Sequence, residues 1–194
     1  MVAMKSQKSF TLIELLVTVT IFSLIVGAAS GVFVSALRAQ RKSLSMQELL
    51  GQTSFLMEYM SRAIRMAKKE LSAPACLSQN GLNYEIPVGY RIDDNEDLGW
   101  KIKFKNYQGI CQEFFWDKGT NQLMENKTGY TEPLPLTSPS LRINSLSFNL
   151  IGKSQFDDPP LQPRVTIFLK IEGKEKSKIN LQTTISQRNP DIPK

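Results

Sequence analysis

A single glutamate is the residue whose position most constrains its chemistry. Glu14 lies at the start of an apolar stretch, and no charged side chain occurs from Leu15 to Leu37. A carboxylate at a bilayer centre costs about 2.5–3.5 kcal/mol, less near an interface, and signals a partner. If the chain is cut between Ser9 and Phe10, a new α-amino group appears on Phe10. That cation lies within one helical turn of Glu14, or can meet Glu14 of a neighbouring chain. In a low-dielectric setting such a pair offsets its desolvation only with good geometry. It would therefore set axial register between stacked helices rather than glue them together.

Other residue types offer less. Asp93-Asp94-Asn95-Glu96-Asp97 is the densest acidic cluster; carboxylates on a loop can bind calcium, which takes six to eight oxygens. The spacing does not match an EF-hand loop, and an acidic turn between strands is the simpler reading. Asp157-Asp158 reads as a solvated loop. Cys76 and Cys111 are the two cysteines. Outside the cytoplasm they could form one disulfide, and in a reducing compartment they would be buried thiols. Trp100, Phe114, Phe115 and Trp116 cluster on two adjacent predicted strands, with Phe114 and Trp116 on one strand face and Phe115 on the other. Core packing is favoured over an exposed partner surface.

Histidine is absent, which removes the commonest general base and zinc ligand. No G-x-S-x-G, phosphate-cradling glycine loop or serine–lysine pair at useful spacing occurs, so the expectation is no enzyme. The net charge is +6, but the basic residues are dispersed and not interleaved with stacking aromatics.

The elements that must position these groups begin with the N-terminal run. Lys5 and Lys8 precede an uncharged stretch longer than the roughly 20 residues that span a bilayer as a helix. They place the N-terminus on the cytoplasmic side, although Arg38, Arg41 and Lys42 weaken the charge bias. A secretory signal cleaved after Val34-Ser35-Ala36 and a plain signal anchor are the rival readings, and neither accounts for Glu14. Gly27-Ala28-Ala29-Ser30-Gly31 could allow close helix approach or local unwinding.

Helical periodicity continues through Met46, Leu49, Thr53, Leu56, Met60, Ala63 and Ala67, with Arg62, Arg65, Lys68 and Lys69 mostly on the other face. One nearly continuous helix is expected from Phe10 to Ser72, stopped by Pro74. After Pro74 the period becomes two. Strands are expected at Tyr84–Ile92, broken by Pro87, then Lys101–Tyr107, Ile110–Trp116, Gln122–Glu125, Leu141–Leu150, Arg164–Glu172 and Lys178–Gln187. The stretch 128–140, rich in proline, reads as a loop. The expected fold class is α+β: a long N-terminal helix, its first half transmembrane, packed on one antiparallel sheet of five to seven strands. The segments are 1–9, 10–37 (membrane), 38–73 (amphipathic continuation), 74–188 (extracytoplasmic head) and 189–194 (frayed tail).

The run Lys8-Ser9-Phe10-Thr11-Leu12-Ile13-Glu14-Leu15-Leu16-Val17 resembles the prepilin cleavage and methylation motif of type IV pilins and type II secretion pseudopilins. The resemblance implies a leader at 1–9, cleavage before Phe10 by a prepilin peptidase, N-methylation of Phe10, and a role for Glu14 in assembly. It also implies a pilin-like fold. The family usually has glycine before the cut; Ser9 is small enough that processing is still expected. The basic helix end at Ser61–Lys69 is similar to that of J-type minor pseudopilins and W-type minor pilins. Implied partners are the peptidase, other pilins or pseudopilins, an assembly platform and the lipid bilayer, with DNA only for a competence subunit. The implied location is the inner or cytoplasmic membrane, head outside, and then a filament. The rival from another class is a signal-anchored binding or adhesion domain.

Overall fold

In a computed structural model, residues 11–72, 75–157 and 161–188 are described. The chain divides into two units, Met1–Ser43 and Leu44–Lys194. Helix α1, Leu12–Arg65, contributes to both. In the first unit its residues are exposed throughout, with Leu12, Leu24 and Val32 each more than 70% accessible.

In the second unit the helix buries Ser45, Leu49, Thr53, Leu56, Met60 and Ile64. Their three- and four-residue spacing places them on one face. The helix ends at Arg65, ahead of the expected stop at Ser72. Its last carbonyls find partners outside the helix: the Tyr84 hydroxyl donates to the Ile64 carbonyl at 2.9 Å, and the Arg188 amide to that of Arg65 at 2.9 Å. Orphan C-terminal carbonyls satisfied this way give no reason to add another turn. The chain then turns extended, and the Lys68 amide donates to the Lys105 carbonyl at 2.8 Å. Ala73 and Pro74, the predicted terminator, lie outside the described residues.

The strands are β1 (Tyr84–Glu85), β2 (Arg91–Ile92), β3 (Asn95–Gly99), β4 (Lys101–Lys105), β5 (Cys111–Asp117), β6 (Gln122–Lys127), β7 (Leu134–Pro135), β8 (Arg142–Ile151), β9 (Arg164–Glu172) and β10 (Lys178–Ser186), with a 3-10 turn at Lys174–Lys176 between the last two. They form two antiparallel sheets of five strands each, in the orders β1-β4-β5-β6-β7 and β10-β9-β8-β3-β2. The architecture is α+β and pilin-like, but with two sheets where one was expected.

The physical reasons for two sheets are local. Pro135 cannot donate to a ladder, so β7 is the edge at which the first sheet ends. The predicted strand at Tyr84–Ile92 is split by a turn in which the Tyr90 amide donates to the Pro87 carbonyl at 3.1 Å. Its halves join different sheets. Chain 95–105 also changes sheet, β3 pairing with β8 and β4 with β5; such a crossing strand makes a sheet corner. One continuous core fills the space between helix and sheets, with Met60, Ile64, Ile102, Phe104, Phe114, Phe148, Ile167 and Ile171 all inaccessible to solvent.

Candidate functional site

Ser9 and Phe10 lie outside the described residues, so the geometry of the N-terminal site begins at Thr11. The first amides of a helix lack intrahelical partners, and a Thr-x-x-Glu spacing is a capping-box signature. Here the Glu14 amide donates to Thr11 Oγ1 at 3.4 Å, and the Leu15 amide to the Thr11 carbonyl at 3.2 Å. Glu14 stands in the first turn of α1, where the helix dipole favours a negative charge. Thr11 was not singled out from sequence, although the spacing was there to read. Behind it, α1 is long and apolar enough to cross a membrane, and none of its apolar window is buried. Ser and Thr along it return their hydroxyls to backbone carbonyls, as Thr18 does to Leu15 at 2.9 Å.

The second cluster anchors the loop after the helix. Glu70 is fully buried. Its Oε1 accepts from the amides of Leu71 (3.1 Å) and Ser72 (3.2 Å) and from Lys105 Nζ (3.1 Å). Its Oε2 accepts from the amides of Cys76 (3.0 Å) and Leu77 (3.4 Å). Burial pushes the carboxyl pKa up, but Lys105 and the amides outweigh burial and hold it at about 2. Cys76 itself is disulfide-bonded to Cys111, with Cα atoms 5.3 Å apart. The loop is thus fastened twice, once covalently and once by charge. Sequence reading passed over Glu70 because a lone glutamate after a helix carries no spacing signal.

A third cluster ties the helix to the first sheet. The Tyr59 hydroxyl donates to Glu125 Oε1 at 2.7 Å and accepts from Lys127 Nζ at 2.9 Å. Gln112 Nε2 also donates to Glu125, at 2.6 Å. Burial works against the Lys127 charge, but its bonds to Tyr59 and Glu125 outweigh that and raise its pKa above the ordinary lysine value. A cavity of about 520 Å³ opens beside this network, walled by Ala63, Met66 and Tyr107.

The acidic cluster folds as the β2–β3 hairpin. Asp93 and Asp94 adopt φ of 52° and 56°, the left-handed pair of a tight hairpin turn. Glu96 pairs with Lys153 (3.2 Å) and Arg91 (3.5 Å), and Asp97 pairs with Lys153 (2.8 Å). No group of three or more His, Cys, Asp or Glu side chains able to hold a metal occurs among the described residues. Asp158 lies outside them. Of the aromatic residues, Phe114 is buried in the core and Trp116 packs against it. Phe115 is partly exposed and faces Lys101 Nζ at 5.1 Å, while Lys118 Nζ lies 3.6 Å from the Trp100 ring centroid.

Fold and site together define a class: an N-terminal helix with an acid in its first turn and an exposed apolar first stretch, and a disulfide-fastened α+β head. Residues 4–30 match the family model described as the prokaryotic N-terminal methylation motif, the prepilin motif of type IV pilins and pseudopilins. No curated protein and no solved structure matches the chain. The motif supports a prepilin substrate of the type IV pilin-like kind, and the apolar helix fits a membrane anchor. Such a motif points to a structural subunit that assembles with other pilins.

Proposed function

We propose that this chain is a minor pilin or pseudopilin, a structural subunit of a type IV pilus-like filament that works by assembly rather than catalysis. The observation that carries the reading is the methylation-motif match at residues 4–30, which runs into the helix stretch whose apolar window has no intramolecular cover. The precursor waits in the inner or cytoplasmic membrane with its N-terminus cytoplasmic and its head outside. Prepilin peptidase removes residues 1–9 and methylates Phe10. The new ammonium of Phe10 pairs with Glu14 of the same or a neighbouring subunit, and the pair sets register as helices enter the bundle. Covering the apolar segment with other helices replaces lipid as its solvent, so helix packing and polar pairing drive the step. Pilus, secretion and competence machines share this chemistry.

Mass spectrometry of the mature chain tests the reading. N-methylated Phe10 at the terminus is expected. An intact Met1, or a terminus created by cleavage after Ala36, would instead make the chain a signal-anchored or secreted binding domain.

A further inference from the structure

The sheet that runs from β10 to β2 carries opposite free charge at its two edges. At the β10 edge, Arg65 and Arg188 are held together by the backbone bond that closes the end of α1. With Arg62 they line a groove of about 830 Å³ that also takes in Thr184 and Ser186. Among the described residues Glu58 is the one acid lining it, and it is bound to Arg62 at 2.6 Å. Neither Arg65 nor Arg188 has an ion pair among the described residues. At the opposite edge stands the tight turn of Asp93 and Asp94, both exposed. Their neighbours Glu96 and Asp97 are matched by Arg91 and Lys153, whereas Asp93 and Asp94 have no ion pair among the described residues.

We propose that these edges are the two halves of one contact, the Asp93-Asp94 turn of one copy of this chain seating in the Arg65–Arg188 groove of the next. Asp93 and Asp94 are adjacent in a two-residue turn, and each half supplies the charge the other lacks. Because the halves lie on opposite edges of one sheet, the contact is head-to-tail. It builds a row of heads and does not close as a two-fold pair. The pairs are solvent-exposed, so they set partner and register more than affinity. The contact therefore needs the high local concentration of chains already gathered in a membrane or filament. Nucleic acid fits the groove less well, because among the described residues no aromatic side chain lines it for a base to stack on. The inference takes its setting from the assembly reading, but the charges and their placement stand without it.

The test is cross-linking between two differently tagged full-length copies in the membrane, one carrying Asn95→Cys and the other Ser186→Cys. Both positions are exposed and neither supplies a charge. A mixed-tag adduct is expected in clear excess over a control pairing Ser186→Cys with Thr131→Cys, which sits on an exposed loop elsewhere. Adding Arg65→Glu to the Ser186→Cys copy should cut the yield about fivefold, the scale of one exposed pair turned from attraction to repulsion. Adding Asp93→Lys to the other copy should restore it. Yields no higher than the control, indifference to Arg65→Glu, failure of Asp93→Lys to rescue, or loss of the adduct on nuclease treatment would each overturn the proposal. An unprocessed N-terminus with a strong adduct would sink the assembly reading alone. A methylated Phe10 without the adduct would sink only this contact.

Discussion

Replacing Glu70 with glutamine removes one charge and leaves the shape of the side chain almost unchanged. The carboxylate serves four backbone amides and Lys105. A carboxamide keeps one acceptor oxygen and turns two N–H donors toward amides that also donate. A folded-state pKa of about 2 against an ordinary 4.5 corresponds to about 3 kcal/mol, at ~1.4 kcal/mol per unit. Because the folded pKa is depressed, this stabilisation is fully present above the unfolded pKa and is lost as pH falls towards 2. By linkage about 2 kcal/mol of it has gone by pH 3.

Glu70→Gln should therefore cost about 3 kcal/mol at pH 7 and only about 1 kcal/mol at pH 3. Both tryptophans, Trp100 and Trp116, lie in the head. Urea unfolding of the full-length chain in mild detergent, followed by tryptophan fluorescence, thus reports on the head without signal from the apolar helix. The other titrating groups are common to both proteins and cancel in the difference. A difference at pH 7 below about 0.5 kcal/mol, or one that does not shrink between pH 7 and pH 3, would refute the assigned role of Glu70.

Four further outcomes are expected. Opening the Cys76–Cys111 bridge, with its sequence separation of 35, should destabilise the head by about 4 kcal/mol in the chain-entropy account; unfolding with and without reductant measures it. Tyr59→Phe should cost about 1–2 kcal/mol in the same assay, because it strips one bond from buried Glu125 and one from Lys127. Gly99→Ala should cost about 2 kcal/mol or more, since an added Cβ would overlap the Tyr90 carbonyl oxygen and Ile86 Cγ2; hydrogen exchange at the β2–β3 hairpin would localise the damage. Glu14→Ala should reduce recovery in sheared filaments at least tenfold while leaving cleavage before Phe10 intact, given the ~3–5 kcal/mol cost of breaking one partner of a buried pair. Wild-type recovery of that variant would remove Glu14 from the assembly step.

Local rules carried the sequence a long way. A helix of membrane-spanning length through the uncharged run ending at Leu37, and a buried stripe from Leu49 to Ile64, could be read from bilayer thickness and the 3.6-residue period, which need no knowledge of distant residues. Likewise Ile102 and Phe104 alternate inward as their period of two requires. Tertiary structure decided what depends on residues far apart in the chain. The helix stops at Arg65 because Tyr84 and Arg188 reach its last carbonyls, and no local signal encodes either partner. The strands divide into two sheets because ladder partners are chosen across the core, so neither the strand at Asn95–Gly99 nor the change of sheet between Gly99 and Lys101 carries a local signal. Glu70 and Glu125 became buried, matched charges only when Lys105 and Lys127 were folded against them; a charge states its own hydration cost in the sequence, but only the fold supplies the groups that compensate it.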